Sequence, residues 1–363
     1  MRVGILTFQQ AINYGAMLQL YALQNVLQRL QVDPDVINYI SPKLKQDYKV
    51  IKFDTLKDFL AKIFVAKAFC ERKRRFENFE KIYLNLTDEF YTKNELKFSS
   101  QKYDYIITGS DQVWNYLITN TDTTYLLDFI EDRNKKLSYA ASFGVEKIPD
   151  NLKEKYKNLL KDFKAISVRE KQGQNIIKGL CNLDVPVVLD PTLLLNKNEW
   201  SKLNLSKEKR KKYILVYCLR KSDLLNEMAK TLQRETGFKL VILNPRARFM
   251  YSRFSAATAG PEEFVELFMN AEFVLTNSFH GTAFSINFNK RFLVDLDTKS
   301  VQNTNSRLLN ILELGNLTDR IVSAPQDIKK IYEEIDYKKI NEILDIERKT
   351  SLEYLKISLG INE

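Results

Sequence analysis

The strongest constraint on the fold is an alternation of short apolar strands and helix-length amphipathic stretches, set out twice along the chain. RVGILTF (2–8) is a compact apolar run with β-branched residues and predicts a buried strand. Between Gly15 and Leu30, Ala16, Leu20, Leu23, Leu27 and Leu30 recur in steps of four and three, so they share one helical face. PDVINYI (34–40) reads as strand again, and a β-α-β opening calls for a parallel sheet. Further strands are predicted at 103–109, 136–144, 165–170 and 185–190, with an amphipathic helix at 151–163. The polar stretch 196–212 reads as a connection. The alternation then restarts, with strands at 213–219, 238–244, 271–277 and 291–296 and helices at 222–235, 261–270 and 281–288. Helices near 303–315, 325–346 and 349–359 close the chain. The expected architecture is α/β: two Rossmann-like domains, 1–195 and 196–335, facing a central cleft, with C-terminal helices at 336–363. Neither the GxGxxG dinucleotide fingerprint nor a Walker A sequence occurs.

Composition narrows the function classes. The chain has 363 residues and a net charge of +10, which favours anionic partners without choosing among phosphorylated small molecules, anionic lipid surfaces and nucleic acid. Basic residues are dispersed rather than set among stacking aromatics, and no nucleic-acid-binding motif is present, so no nucleic-acid partner is expected. Three separated cysteines without a CxxC argue against a disulfide scaffold or a zinc site, and no metal is expected. No apolar run reaches the ~18 residues that span a bilayer. The first residues are too short and strand-like for a signal peptide, so a cytoplasmic setting is expected, with the inner face of the cell membrane as a second place for it. The segment 53–85 reads as a long helix containing ERKRR (71–75). That run is expected to be a solvated face. Its alternative is a peripheral contact with anionic lipid, helped by Phe59, Ile63, Phe64 and Phe69, although those aromatics read first as core.

In open α/β sheets, ligands bind beyond the carboxyl ends of the strands. The residues that follow the predicted strands include Asn13, Gly15 and Gln19; Ser110 and Asp111; Ser142 to Gly144; Arg169; Arg220; and Asn277 to Gly281. Gly15, Gly109, Gly144 and Gly281, four of only 11 glycines, fall in these turns. His280 is the only histidine, so any imidazole proton transfer uses it; the plainer alternative is a helix cap or interface filler. Free amides at the helix start beyond it make an anion site. Arg169 reads either as a clamp on carboxylate or phosphate or as a surface partner of Glu170. Asp111 reads as a base or a cap, and Arg307 as an anion ligand or an ordinary helix-start arginine. Arg246, Arg248 and Arg253 carry less information.

Taken in order, NYGAMLQLYAL (13–23), GSDQVWN (109–115), ISVRE (166–170), DPTLLL (190–195), GPEEF (260–264) and TNSFHGTAFSINFNKRF (276–292) resemble the polysaccharide pyruvyl transferase family. The resemblance implies a GT-B-like fold. It implies transfer of the enolpyruvyl group of phosphoenolpyruvate onto a sugar of a surface-polysaccharide precursor as a cyclic ketal, with release of phosphate. It puts the family's essential histidine at His280, one arginine at Arg169 and another at Arg307 rather than Arg291. Ser278 stands where some members carry an arginine. On this reading His280 is the general acid/base, and Arg169 and Arg307 hold the anions. Ser278, Gly281 and Thr282 face the donor, while Asn13, Gly15, Gln19, Ser110 and Asp111 line the acceptor side. No cofactor is required, and the acceptor sugar is compatible with a lipid anchor. The alternatives are a GT-B glycosyltransferase using a nucleotide sugar and a non-catalytic basic protein that holds an anionic polymer or membrane.

Overall fold

The computed structural model describes residues 1–41, 59–203, 205, 211–243, 256–296 and 305–361, with side chains from 66 onward in the helix that starts at 59. Arg246, Arg248 and Arg253, the start of the predicted 53–85 helix and the side chains of Phe59, Ile63 and Phe64 lie outside the described residues.

Two all-parallel five-stranded sheets carry the molecule. The first contains β1 (Arg2–Leu6), β2 (Asp33–Tyr39), β3 (Leu86–Phe90), β4 (Tyr105–Thr108) and β5 (Lys136–Ser138), in the order β3-β2-β1-β4-β5. The second contains β6 (Tyr213–Tyr217), β7 (Lys239–Leu243), β8 (Phe273–Thr276), β9 (Arg291–Asp295) and β10 (Ile321–Val322), in the order β10-β9-β8-β6-β7. Both are doubly wound orders. The direction of winding reverses between β1 and β4 in one sheet and between β6 and β8 in the other, and a crevice opens at each reversal.

Helices follow the strands. α1 (Tyr14–Arg29) leaves β1, and α2 (Phe59–Tyr83) precedes β3. α3 (Lys93–Ser100), α4 (Asp150–Lys161) and α5 (Lys171–Cys181) complete the first half. α6 (Asp223–Thr236), α7 (Pro261–Asn270), α8 (Phe279–Asn287) and α9 (Ser306–Leu314) belong to the second, and α10 (Tyr337–Leu359) ends the chain. One large apolar core runs through both halves. Tyr14 of α1 stacks on Phe264 of α7, ring centroids 4.7 Å apart, and its hydroxyl donates to the Ala259 carbonyl. Trp200, inside the stretch expected to be a mere connection, is fully buried between Tyr21 and Phe284.

Four sequence expectations change. The stretches 136–144, 165–170 and 185–190 are not three full strands: β5 stops at Ser138 and the rest pair through single bridges. Hydroxyls interrupt the ladder at Ser138 and Ser167, while backbone bonds such as that from the Ala141 amide to the Ser167 carbonyl continue it on either side. Ser138 Oγ donates to the Ser167 carbonyl, Ser167 Oγ accepts from the Ala140 amide, and Ala140 sits at φ 49°, which no regular strand tolerates. The helices expected at 325–346 and 349–359 are a 3-10 segment, Pro325–Tyr332, and one continuous helix, α10, capped by Asp336. ERKRR is not a uniformly solvated face. Arg72 is buried with Nε donating to the Ala257 carbonyl, and Arg75 pairs with Glu71 and Glu263, leaving Lys73 and Arg74 outward. Finally β3, mostly polar and at a sheet edge, was not expected at all. Among the described residues, no helix is long and apolar enough to cross a membrane.

Candidate active site

The two crevices face each other, and a cavity of about 360 Å³ lies between them. Its wall takes Phe8, Ala11 and Asn13 from beyond β1, and Asp111 from beyond β4. Leu219 and Arg220 come from beyond β6, Asn277 to His280 from beyond β8, and Arg307 from the first turn of α9. Both topological switch points therefore feed one space.

The local sequence fixes the wall. Asn13 caps α1, its Oδ1 accepting from the Gly15 and Ala16 amides at 2.9 and 3.2 Å. Gly15 leaves the gap into which the His280 ring fits: a Cβ at position 15 would meet His280 Nδ1 at 2.0 Å. Ser278 caps α8, its Oγ accepting from the Gly281 amide at 3.4 Å, and the Thr282 amide donates to the Ser278 carbonyl. A Cβ at Gly281 would lie 2.2 Å from Thr276 Oγ1, so close packing explains that glycine. The amides of Gly281 and Thr282, expected to meet a phosphate, are thus already used. Those of Phe279 and His280 are the open helix-start donors, where the helix dipole favours an anion.

Behind the wall lies a buried charge cluster. Asp190 Oδ2 accepts from Arg169 Nη1 at 2.7 Å and from Ser110 Oγ at 3.1 Å. Its Oδ1 accepts from the amide and hydroxyl of Thr192. His280 Nε2 stands 3.7 Å from Asp190 Oδ2. Burial pushes the Asp190 carboxyl up, but His280 and Arg169 outweigh it and hold the group well below the usual carboxylate range. Arg169 is itself buried, with its guanidinium over the Phe279 ring at 4.6 Å. Burial works against its charge, yet Asp190, Asp111 and Glu170 raise its pKa. Arg307 is held down to about 10, by burial first and then by Arg169. Its Nε is buried without a hydrogen-bond partner.

The structure therefore brings together His280, Arg307, Ser278, Asn13 and Asp111 in the wall, with Gly15 against the imidazole. It puts other expected residues elsewhere. Arg169 is not a surface partner of Glu170; it stands behind the wall, bonded to Asp190. Gln19 is buried beneath the cavity, donating to Thr7 Oγ1 and the Ala16 carbonyl and accepting from the Ser110 amide. Ser110 is buried too, its hydroxyl spent on Asp190 and the Ala140 carbonyl. Asp111, at φ 72°, uses Oδ1 to accept from the Gln112 amide. Among residues missed, Asp190 had a signal in the sequence, since it ends the predicted strand VPVVLD and the carboxyl-end rule applies to it. Arg220 also lines the wall, paired to Asp295 at 3.1 Å.

Two doubly wound domains that share one crevice, with an imidazole, guanidinium groups and open helix-start amides in its wall, define a GT-B-like protein. In sequence, the polysaccharide pyruvyl transferase family model matches residues 13–294, and the chain belongs to that family. In structure, it is similar to UDP-GlcNAc 2-epimerase from Methanocaldococcus jannaschii, solved with UDP-GlcNAc and UDP. The TM-score is 0.52 at 14% identity, covering 95% of this chain and 99% of that one. The Neisseria meningitidis UDP-GlcNAc 2-epimerase gives 0.49 at 13% identity, covering 97% and 100%. A spinosyn rhamnosyltransferase gives 0.42 at 10%, covering 99% and 96%. No curated protein matches the chain in sequence.

Proposed function

We propose that this chain transfers the enolpyruvyl group of phosphoenolpyruvate to two hydroxyls of a sugar in a surface-polysaccharide precursor, closing a cyclic ketal and releasing phosphate. One observation carries the reading. The only histidine of a 363-residue family member lies at a helix start in the wall of an interdomain cavity, with Arg307 and Arg220 in the same wall.

The chemistry asks for those groups. Phosphoenolpyruvate carries a carboxylate and a phosphate. A proton is added at C3, C2 becomes electrophilic, and the first sugar hydroxyl attacks C2 and gives up its proton. The C2–O bond to phosphate then breaks, the oxygen keeping the electron pair. A second hydroxyl closes the ring at C2 and loses its own proton. Of the two hydroxyl protons lost, one balances that gained at C3 and the other leaves with phosphate or solvent. His280 suits the proton transfers. Arg307 and Arg220 suit the anions, and the Phe279 and His280 amides suit the phosphate as charge grows on its bridging oxygen. Arg169 acts from behind, through Asp190. Asn13 and Asp111, on the first-domain side, suit the acceptor hydroxyls.

A second cavity of about 420 Å³ adjoins the first at Ala11. Amides of Gln9, Gln10 and Asn38 and the rings of Phe69 and Phe76 line it, a mixture that suits further sugar units of a longer acceptor. The test is His280→Ala. Phosphate release from phosphoenolpyruvate in the presence of acceptor should fall by about 10²–10⁴-fold while circular dichroism stays unchanged. Turnover retained at the wild-type rate would remove His280 from the chemistry.

A further inference from the structure

The buried carboxylate of Asp190 is more than a cap. Its Oδ1 accepts from the Thr192 amide and hydroxyl, which is all that capping the turn Pro191–Leu194 requires. Its Oδ2 is turned the other way, to Arg169 Nη1, Ser110 Oγ and His280 Nε2. The two imidazole nitrogens stand in different surroundings. Nε2 is buried and has no hydrogen-bond partner, and the nearest acceptor described for it is Asp190, 3.7 Å away. Nδ1 lies against Gly15 at the first turn of α1, and the His280 side chain as a whole lines the cavity.

We propose that Asp190 is the positioning residue of this site: it holds the His280 proton on Nε2, so that Nδ1 is the nitrogen presented to substrate. A carboxylate bonded to one ring nitrogen fixes the tautomer and ring orientation and stabilises the imidazolium that forms when the other nitrogen takes a proton. The distance of 3.7 Å is longer than a hydrogen bond, and such contacts shorten when substrate closes a site. Arg169 and Ser110 keep the carboxylate ionised and aimed, which explains a buried guanidinium behind the wall rather than in it. The proton-carrying role of Nδ1 rests on the transfer reaction proposed above, whereas the Asp190–His280 pairing does not.

Because the chain has one histidine, its ring can be observed alone. The experiment uses full-length protein carrying ¹⁵N-histidine and no histidine tag, with and without phosphoenolpyruvate. Long-range ¹H–¹⁵N spectra should show a single neutral tautomer protonated on Nε2, with that proton protected from solvent exchange. A proton on Nδ1, or an Nε2 proton in fast exchange in both samples, would overturn the proposal using wild-type protein alone. In Asp190→Asn, kcat should fall by about 10²–10⁴-fold with little change in the KM for phosphoenolpyruvate, and the protected Nε2 signal should disappear. An Asn variant that keeps both the signal and kcat would also overturn it. If wild-type protein shows the protected proton but releases no phosphate from phosphoenolpyruvate, the pairing stands and the transfer reaction fails.

Discussion

A methyl group on residue 15 would lie 2.0 Å from one imidazole nitrogen, so the first turn of α1 and the His280 ring cannot both keep their places if Gly15 acquires a side chain. Alanine is the better helix former by about 1 kcal/mol, so local propensity alone favours Gly15→Ala. The close approach predicts the opposite in function: phosphate release should drop at least about tenfold as the ring is pushed from its site, a loss comparable to a misplaced catalytic group. A steady-state assay with a matched melting curve checks this, and unchanged kcat/KM would contradict it. The same residues show what sequence could yield. Asn13, Asp111, Arg220 and His280 were legible because each follows a strand, and all four reach the cavity. Gln19 and Ser110 follow the same rule but are buried, since a rule about chain position does not say which side chains turn inward. Asp190 ends the predicted strand 185–190 and follows the same rule, but its position does not say that one oxygen caps the next turn while the other faces Arg169 and His280.

Elements were readable where a continuous apolar run is buried whole. The runs that became β1, β6 and β8 are buried on both faces, and most of α1 is buried as well. Reading failed where side chains take over backbone bonding, as at Ser138 and Ser167, and at β3, whose edge position exposes much of it to solvent. α2 carries its own testable feature. Burial and the neighbouring Glu77 push the Glu80 carboxyl up to about 7. A raised acid contributes stability in its neutral form. That contribution is complete below its ordinary value of about 4.3 and is lost as pH rises through about 7. Glu80→Gln should therefore raise the melting temperature at pH 8 and leave it nearly unchanged at pH 4. Scanning fluorimetry at the two pH values checks the sign, and equal shifts at both would contradict the burial argument.

At the scale of the molecule, the site depends on the two halves being held face to face. Tyr14 against Phe264 and Trp200 between Tyr21 and Phe284 join them through apolar contact. α10 ties them again. Arg348 donates to the Leu193 carbonyl and to Asn287 Oδ1, Ser351 Oγ accepts from the Leu189 amide, and Tyr354 donates to the Ser138 carbonyl. Two alternations could be read from the sequence. So could a central cleft between them, and the cavity lined from both switch points agrees with it; the buried charge cluster behind its wall could not, because no periodicity says which side chains turn inward. The central claim is that this shared cavity consumes phosphoenolpyruvate. The most direct measurement incubates the protein with phosphoenolpyruvate and a panel of lipid- or aryl-linked hexosides, following free phosphate and product mass. The expected result is stoichiometric phosphate with a mass gain of about 70 Da on one acceptor, the increment of a pyruvate ketal formed by addition and displacement. Release of a nucleotide from a nucleotide sugar with glycosylation of the same acceptors, and no phosphate from phosphoenolpyruvate, would contradict it.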